Sequence, residues 1–147
     1  MKIWIKAFED TRLIASETIE DESNETRTHK IFTALEEVCN RLDLGKPIWF
    51  DSNIAEFKRM AKTRFYQDNF VEEIEFDFLE IHVLEEDYTS ACGFLIGNEG
   101  NGLSDTIADI AEKYIKIPME GNVESLNAAI SATLLMYEAN RQRRKKS

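Results

Sequence analysis

The chain has 147 residues, 43% of them hydrophobic, enough for one core or two small units and too many for a disordered chain. Its net charge of −10 and pI of about 4.7 argue against a nucleic-acid binder that works through a broadly basic surface. No apolar run approaches the roughly 18 residues of a membrane span, and Lys2, Lys6 and Glu9 interrupt the N-terminus where a signal peptide would need an apolar stretch.

Met1–Phe8 alternates, with Ile3, Ile5 and Ala7 on one face, and predicts a half-buried strand. Arg12–Glu20 predicts a second strand, paired to the first through a turn near Glu9–Asp10. Thr26 or Thr28 can cap a helix to about Leu42, with Ile31, Leu35, Val38 and Leu42 on one stripe. Gly45 would stop it, with Pro47–Phe50 as a short apolar strand. Asp51 or Ser52 can cap a helix from Asn53 to about Lys62, and Phe76–Leu84 predicts another strand. Together these make a small α+β unit over residues 1–87. That part holds 11 Lys/Arg and 21 Asp/Glu, whereas residues 88–147 hold 7 of each, so all the excess acid lies in the first part.

The second part has a different rhythm. Gly93–Ile96 is a short apolar run, as in a buried parallel strand. Gly97–Gly102 follows as a loop, then Ser104 can cap a helix from Asp105 to about Lys113, and a strand follows over Tyr114–Ile117. Pro118–Glu124 predicts a second loop, and Ser125 can cap a long last helix. Strand–loop–helix, twice over, predicts a parallel β/α segment with both loops at the carboxyl ends of neighbouring strands, where open α/β sheets bind ligands. Cys39 and Cys92 form no CxxC, and His29 and His82 are the only histidines. No metal site or disulfide framework is expected, which fits a reducing cytoplasm.

The chemistry-bearing residues sit in the two loops. Gly97-Asn98-Glu99-Gly100-Asn101-Gly102 lets the backbone turn sharply and approach a ligand, with Glu99 held inside the turn. Its spacing is neither the dinucleotide fingerprint nor a P-loop, and a plain strand-to-helix turn with an exposed acid remains an open reading. In the second loop, Pro118 ends the strand and Gly121 permits a bend. Ser125, Leu126 and Asn127 open a helix whose free N–H groups suit polar or anionic groups, though Ser125 also reads simply as an N-cap. Ala128, Ala129, Ser131 and Ala132 make that helix slim at its start, as close backbone packing or merely an Ala-rich composition would.

The stretch FLIGNEGNGLS, followed at this spacing by IPMEGNVESLNAAISATLLMYEANRQR, resembles the second and third motifs of the SpoU/TrmH RNA 2′-O-ribose methyltransferases, a branch of the SPOUT class. The resemblance runs from about Tyr88 to the end of the chain. It implies a C-terminal trefoil knot whose loops hold S-adenosylmethionine. By motif position Gly97, Ile117 and Leu126 would contact the cofactor, and Gly102 and Met119 of the same loops would join them. Glu99, Ser125 and Asn127 stand where the family places catalytic and site-shaping residues. The resemblance further implies methyl transfer to a ribose 2′-hydroxyl of rRNA or tRNA, and a homodimer, with no metal and no membrane. The family's first motif, an Asn and an Arg six residues on, has a formal counterpart in Asn53 and Arg59. Arg59 stands only 38 positions before Gly97, about half of what the family's intervening strands need. That pair therefore reads as helix surface, and the whole as an acidic unit joined to a partial methyltransferase domain. Two functions follow: a methyltransferase, or a non-catalytic interaction and dimerisation protein whose acidic unit carries the role. The basic tail Arg141–Lys146 reads either as a phosphate contact or as a solvated helix end.

Overall fold

The computed structural model describes all residues except Glu99, Pro118, 120–125 and Ser147. The chain divides into two compact units, Met1–Glu86 and Asp87–Ser147.

In the first unit, β1 (Lys2–Glu9) and β2 (Arg12–Glu20) form a hairpin. Its two-residue turn is Asp10–Thr11, both with positive φ (47° and 65°), the geometry of a type I′ turn that matches strand twist. Aspartate tolerates this region; a β-branched threonine does so at a cost. Helix α1 (Arg27–Arg41) starts at Thr26, whose hydroxyl accepts the His29 N–H. It ends one turn before Gly45. Asp43 takes the left-handed position (φ 56°), and the Leu44 N–H reaches back to the Cys39 carbonyl at 2.8 Å, closing a Schellman-type end.

Residues 47–50, expected as a strand, form no ladder. They run extended, pinned by the Ile48 N–H to the Asn69 carbonyl and by the Asn69 amide to the Ile48 carbonyl, both at 2.7 Å. Helix α2 (Asp51–Met60) follows, its entry fixed by the Asn53 side chain accepting the Phe50 N–H at 3.1 Å. Ala61 adopts φ 53° and turns the chain into β3 (Lys62–Phe65), two residues earlier than the expected helix end. A 3-10 turn, Gln67–Asn69, and β4 (Phe78–Glu85) complete the unit.

The sheet is wholly antiparallel, in the order β2-β1-β4-β3. Period-2 alternation sends Ile3, Ile5 and Ala7 of β1, Leu79, Ile81 and Val83 of β4, and Phe65 of β3 to one face. There they bury against Ile31, Ala34, Leu35, Val38 and Cys39 of α1 and Phe57 of α2. Trp49 packs edge-on to Phe57 and Phe65, at 5.3 and 4.9 Å between ring centres. A buried polar network ties α2 to the strand beside it. The Asn53 amide donates to the Thr63 hydroxyl (3.1 Å) and the Arg64 carbonyl (2.9 Å), and the Asn69 amide donates to the Asn53 side-chain oxygen (2.9 Å). Every partner is satisfied within the fold, so the network specifies packing.

On the opposite face Glu80 is buried between Lys6 (2.7 Å) and Arg64 (2.8 Å). Burial raises its pKa, but the hydrogen bonds from Lys6 and Arg64 outweigh that and hold it below the ordinary carboxylate value. Lys6 lies 3.9 Å from the Trp4 ring centre and Arg64 4.5 Å from that of Phe78.

In the second unit the described residues form α3 (Asp105–Asp109) and α4 (Ala128–Lys146). The runs 93–96 and 114–117, expected as parallel strands, carry no ladder. Among the described residues there, the only bridge is the local pair Asn98–Gly102. A parallel strand is stable only beside partner strands, and the described residues of this unit supply none. Helix α3 stops at Asp109, short of the expected Lys113, with Ile107 and Ile110 exposed. It buries no residue, so no packed face sustains it beyond its own propensity. Among the described residues no helix is long and apolar enough to cross a membrane.

Candidate cofactor site

The first loop is built around a close approach of two backbone segments. A Cβ placed on Gly97 would lie 2.4 Å from the Gly102 carbonyl carbon and 2.7 Å from the Leu103 nitrogen, so position 97 accepts no side chain. Gly102 itself sits at φ 66°. The Gly102 N–H donates to the Asn98 carbonyl at 3.0 Å, closing the loop. The Asn98 side-chain oxygen accepts the N–H groups of Gly100 (3.0 Å) and Asn101 (2.7 Å). Asn98 thus shapes the loop. Sequence reasoning passed over it, although an asparagine two residues before a glycine is an Asx-turn signal. The result is a tight loop whose own closure, Gly102 and Leu103 against Gly97, leaves no room for a side chain at position 97. Glu99, placed inside this loop by the sequence, lies outside the described residues.

Of the second-loop residues, Ile117, Met119 and Leu126 are half-buried, and Asn127 is exposed. The Asn127 side chain accepts the Ala129 N–H at 2.8 Å, which makes it the N-cap of α4. The capping role expected of Ser125 is filled by Asn127; Ser125 itself lies outside the described residues. Gly97 and Gly102 are brought into contact, while no hydrogen bond among the described residues joins their loop to Ile117, Met119, Leu126 or Asn127.

A cleft of about 520 Å³ lies between the segment before Gly97 and α4. It is lined by Phe94 and Ile96 on one side and by Ala132, Met136 and Asn140 on the other. The small side chain at Ala132 is part of what leaves this space, one consequence of the slim helix start. The basic tail is engaged locally. Arg143 donates to the carbonyls of Tyr88 and Ser90, both at 3.1 Å, and Lys146 donates to the Thr89 hydroxyl at 3.4 Å. Arg141 and Gln142 hydrogen-bond Glu138 and hold its pKa down to about 2.

Asn53 and Arg59, the formal counterpart of the family's first motif, fall in the other unit. Asn53 is spent on the buried network, while Arg59 is exposed on α2. No group of three or more metal-ligating side chains gathers among the described residues.

Against this geometry stand the similarities to known proteins. Over 66 residues the chain is 42% identical to a tRNA (guanosine(18)-2′-O)-methyltransferase of Aquifex aeolicus, covering 45% of this chain and 31% of that protein. Over 60 residues it is 50% identical to a putative TrmH family tRNA/rRNA methyltransferase of Staphylococcus aureus, covering 41% of this chain and 23% of the relative. A Staphylococcus epidermidis protein of the same description is 51% identical over 51 residues, 35% of this chain and 20% of its own length. The chain thus spans between a fifth and a third of the length of these curated relatives. No solved structure matches it. The family model described as SpoU rRNA Methylase matches residues 27–137, reaching upstream into α1 from the stretch that carries the two loop motifs. With that match over most of its length, the chain belongs to the SpoU rRNA methylase family, and membership implies a fold of the SPOUT class.

Proposed function

We propose that the second unit carries the S-adenosylmethionine loops of an RNA 2′-O-ribose methyltransferase acting on tRNA or rRNA. One observation carries this reading: position 97 excludes any side chain, in the loop that matches the family's cofactor motif. Gly97 and Gly102 offer the bare backbone surface against which the cofactor's adenine would lie. Ile117, Met119 and Leu126 are half-buried apolar neighbours for its ribose and methionine arms. When bound, S-adenosylmethionine supplies an electrophilic methyl group. The chain's own task is to align the ribose hydroxyl, take up its proton and exclude water. Glu99, Ser125 and Asn127 are assigned to that side of the site. The Asn127 side chain caps α4 through the Ala129 N–H, which fixes its orientation at that helix end.

The reading includes a trefoil-knotted SPOUT topology for the second unit, a boundary near residue 87 with the acidic α+β unit before it, a homodimer and a cytoplasmic setting. The dimer rests on apolar surface: Ile130, Leu134, Met136 and Tyr137 of α4 are all exposed, more than a solvated helix carries without a partner. Titration calorimetry of the full chain with S-adenosylmethionine tests the proposal. Binding is expected, and loss of it in Gly97→Ala. A folded sample that takes up no cofactor would sink the enzyme reading. The same apolar face favours a second reading, a non-catalytic dimerisation protein. A dimer by light scattering, combined with no cofactor uptake, selects it.

A further inference from the structure

The basic end of α4 has two plain readings in the sequence, a phosphate contact or a solvated helix end. The structure gives it a third. The backbone groups of residues 88–90 need partners, and no strand lies beside them among the described residues. Side chains supply those partners. The Tyr88 N–H donates to the Gln142 side-chain oxygen at 2.8 Å. The Tyr88 and Ser90 carbonyls both accept from the Arg143 guanidinium at 3.1 Å, through Nε and Nη2. Arg143 also reaches the Cys92 sulfur at 3.8 Å. The Thr89 N–H donates to the Asp87 carboxylate at 2.8 Å, and the Thr89 hydroxyl accepts from Lys146 at 3.4 Å. A guanidinium that forks to successive carbonyls does here what the N–H groups of a neighbouring strand would do.

The clamp is itself braced. Glu138, one turn earlier, accepts from Arg141 at 2.7 Å and from the Gln142 amide at 2.9 Å, which leaves the Gln142 oxygen to face the Tyr88 N–H. From Tyr88 the segment runs into the first loop. The Phe94 ring meets the Tyr88 ring edge-on, 5.5 Å between centres. Residues 93–96 carry no ladder, and the open cleft separates Phe94 and Ile96 from Ala132 and Met136 of α4. Close packing therefore does little to hold this stretch, and its attachment to α4 falls on Gln142 and Arg143. At its other end α4 is capped by Asn127 of the second loop. The helix thus joins the second loop to the segment that enters the first.

From this we infer that Gln142 and Arg143 are positioning residues, which hold residues 88–92 against α4 and so set the entry of the Gly97–Gly102 loop. Neither is assigned to the cofactor's contacts; each acts through the loop. Charge alone does not do this. Arg144, the next cation, brings the same charge to the helix end and has no partner among the described residues.

The inference rests on the proposed cofactor role of the loop, but its first measurement needs no cofactor. Hydrogen exchange of the full chain, resolved by amide, reads the segment at Tyr88 and the loop at Gly102, whose N–H bonds to the Asn98 carbonyl. Arg143→Ala should quicken exchange at both about tenfold. Gln142→Ala should do the same, and it stands as a separate test where Arg143→Ala loses its fold. Arg143→Lys keeps the charge but cannot fork to two carbonyls, so it should exchange nearly as fast as Arg143→Ala. Arg144→Ala should exchange as the wild type does. Calorimetry then reads the cofactor: S-adenosylmethionine should bind about fivefold more weakly to Arg143→Ala and Arg143→Lys, and unchanged to Arg144→Ala. Quicker exchange at Tyr88 with Gly102 unchanged would make the clamp a local feature and overturn the inference. Full rescue by Arg143→Lys, or equal behaviour of Arg143→Ala and Arg144→Ala, would also overturn it, since either reduces the effect to charge. A wild type that takes up no S-adenosylmethionine, with the exchange pattern as expected, would count against the methyltransferase reading and leave the positioning role in place.

Discussion

The two units of this chain solve the problem of burial in opposite ways. Residues Met1–Glu86 hold every buried hydrophobic side chain of the described structure except Ala139. The second unit carries the loop motifs of the family, yet leaves Leu95, Ile110 and Tyr114, with Ile130, Leu134, Met136 and Tyr137 of α4, at the surface. Unit one reaches stability with its own atoms, because sheet alternation and helix stripes converge on a single core. Unit two has a recognisable site and little interior. A site can thus be written in a few glycines and caps, while a core must be written in many mutually consistent positions.

The sharpest test of this contrast uses the two cysteines. Cys39 is buried in the α1 face, and burial together with the nearby Glu72 raises its pKa to about 11. Cys92 is exposed. Since the thiolate is the reactive species, Cys92 should be alkylated at pH 8 on the order of a thousandfold faster than Cys39. Mass spectrometry of iodoacetamide-treated protein reads both sites. Comparable rates would mean that the first unit opens as readily as the second, and the comparison would fail.

Much of the first unit was legible before any coordinates. The alternation of Met1–Phe8 and the stripe Ile31, Leu35, Val38 carry their own periodicity, and Thr26 caps as its position suggests. What escaped were features decided by tertiary pairing. Strand β3 has the alternation Lys62, Thr63, Arg64, Phe65, but the expected helix takes in Lys62 and the other three residues are too few to signal a strand of their own. Only pairing with β4 and the left-handed Ala61 separate them. The hairpin turn at Asp10–Thr11 was displaced by one residue because threonine is an improbable occupant of positive φ. In the second unit the need for glycine at position 97 was legible, and its cause, the backbone of Gly102, was not. The strands expected at 93–96 and 114–117 rest on apolar runs, and a run alone does not supply a ladder partner.

Paired core and surface truncations measure the same contrast as free energy. Phe65 is fully buried against Trp49, so Phe65→Ala should cost about 4 kcal/mol in urea unfolding. Leu134 on α4 is 44% exposed, and Leu134→Ala should cost under about 1 kcal/mol in the monomer. A large loss at Leu134 that grows with protein concentration would instead report its burial in the proposed dimer.

Glu80 gives a pH-dependent version of the same measurement. Its carboxylate is 4% exposed between two cations, so Glu80→Ala should cost about 3 kcal/mol by leaving Lys6 and Arg64 without their partner. Its pKa is lowered in the folded state, so the unfolded chain takes up the proton first. The stabilisation is therefore present above about pH 4.5 and is lost as the pH falls through the lower folded value. Denaturation midpoints for the first unit should drop on acidification below pH 4.5, and Glu80→Gln should flatten that drop. An unchanged acid limb in Glu80→Gln would place the titrating group elsewhere.

The smallest effect compares two helix caps of the same chemistry. The Thr26 hydroxyl accepts the His29 N–H at 3.2 Å, and the Asn127 amide oxygen accepts the Ala129 N–H at 2.8 Å. Removing either should cost about 1 kcal/mol of helix stability. The consequence differs because the helices are anchored differently. Helix α1 is locked into the core through Ile31, Leu35 and Val38, so Thr26→Ala should lower the cooperative unfolding midpoint and leave native helicity intact. Helix α4 buries only Ala139, so Asn127→Ala should fray its first turn in the native state. Hydrogen exchange should then quicken at Ser131, whose N–H bonds to the Asn127 carbonyl, with little change in the midpoint of the first unit. If both variants shift the same cooperative transition equally, the two units unfold as one, and the contrast in burial does not divide the molecule's energetics.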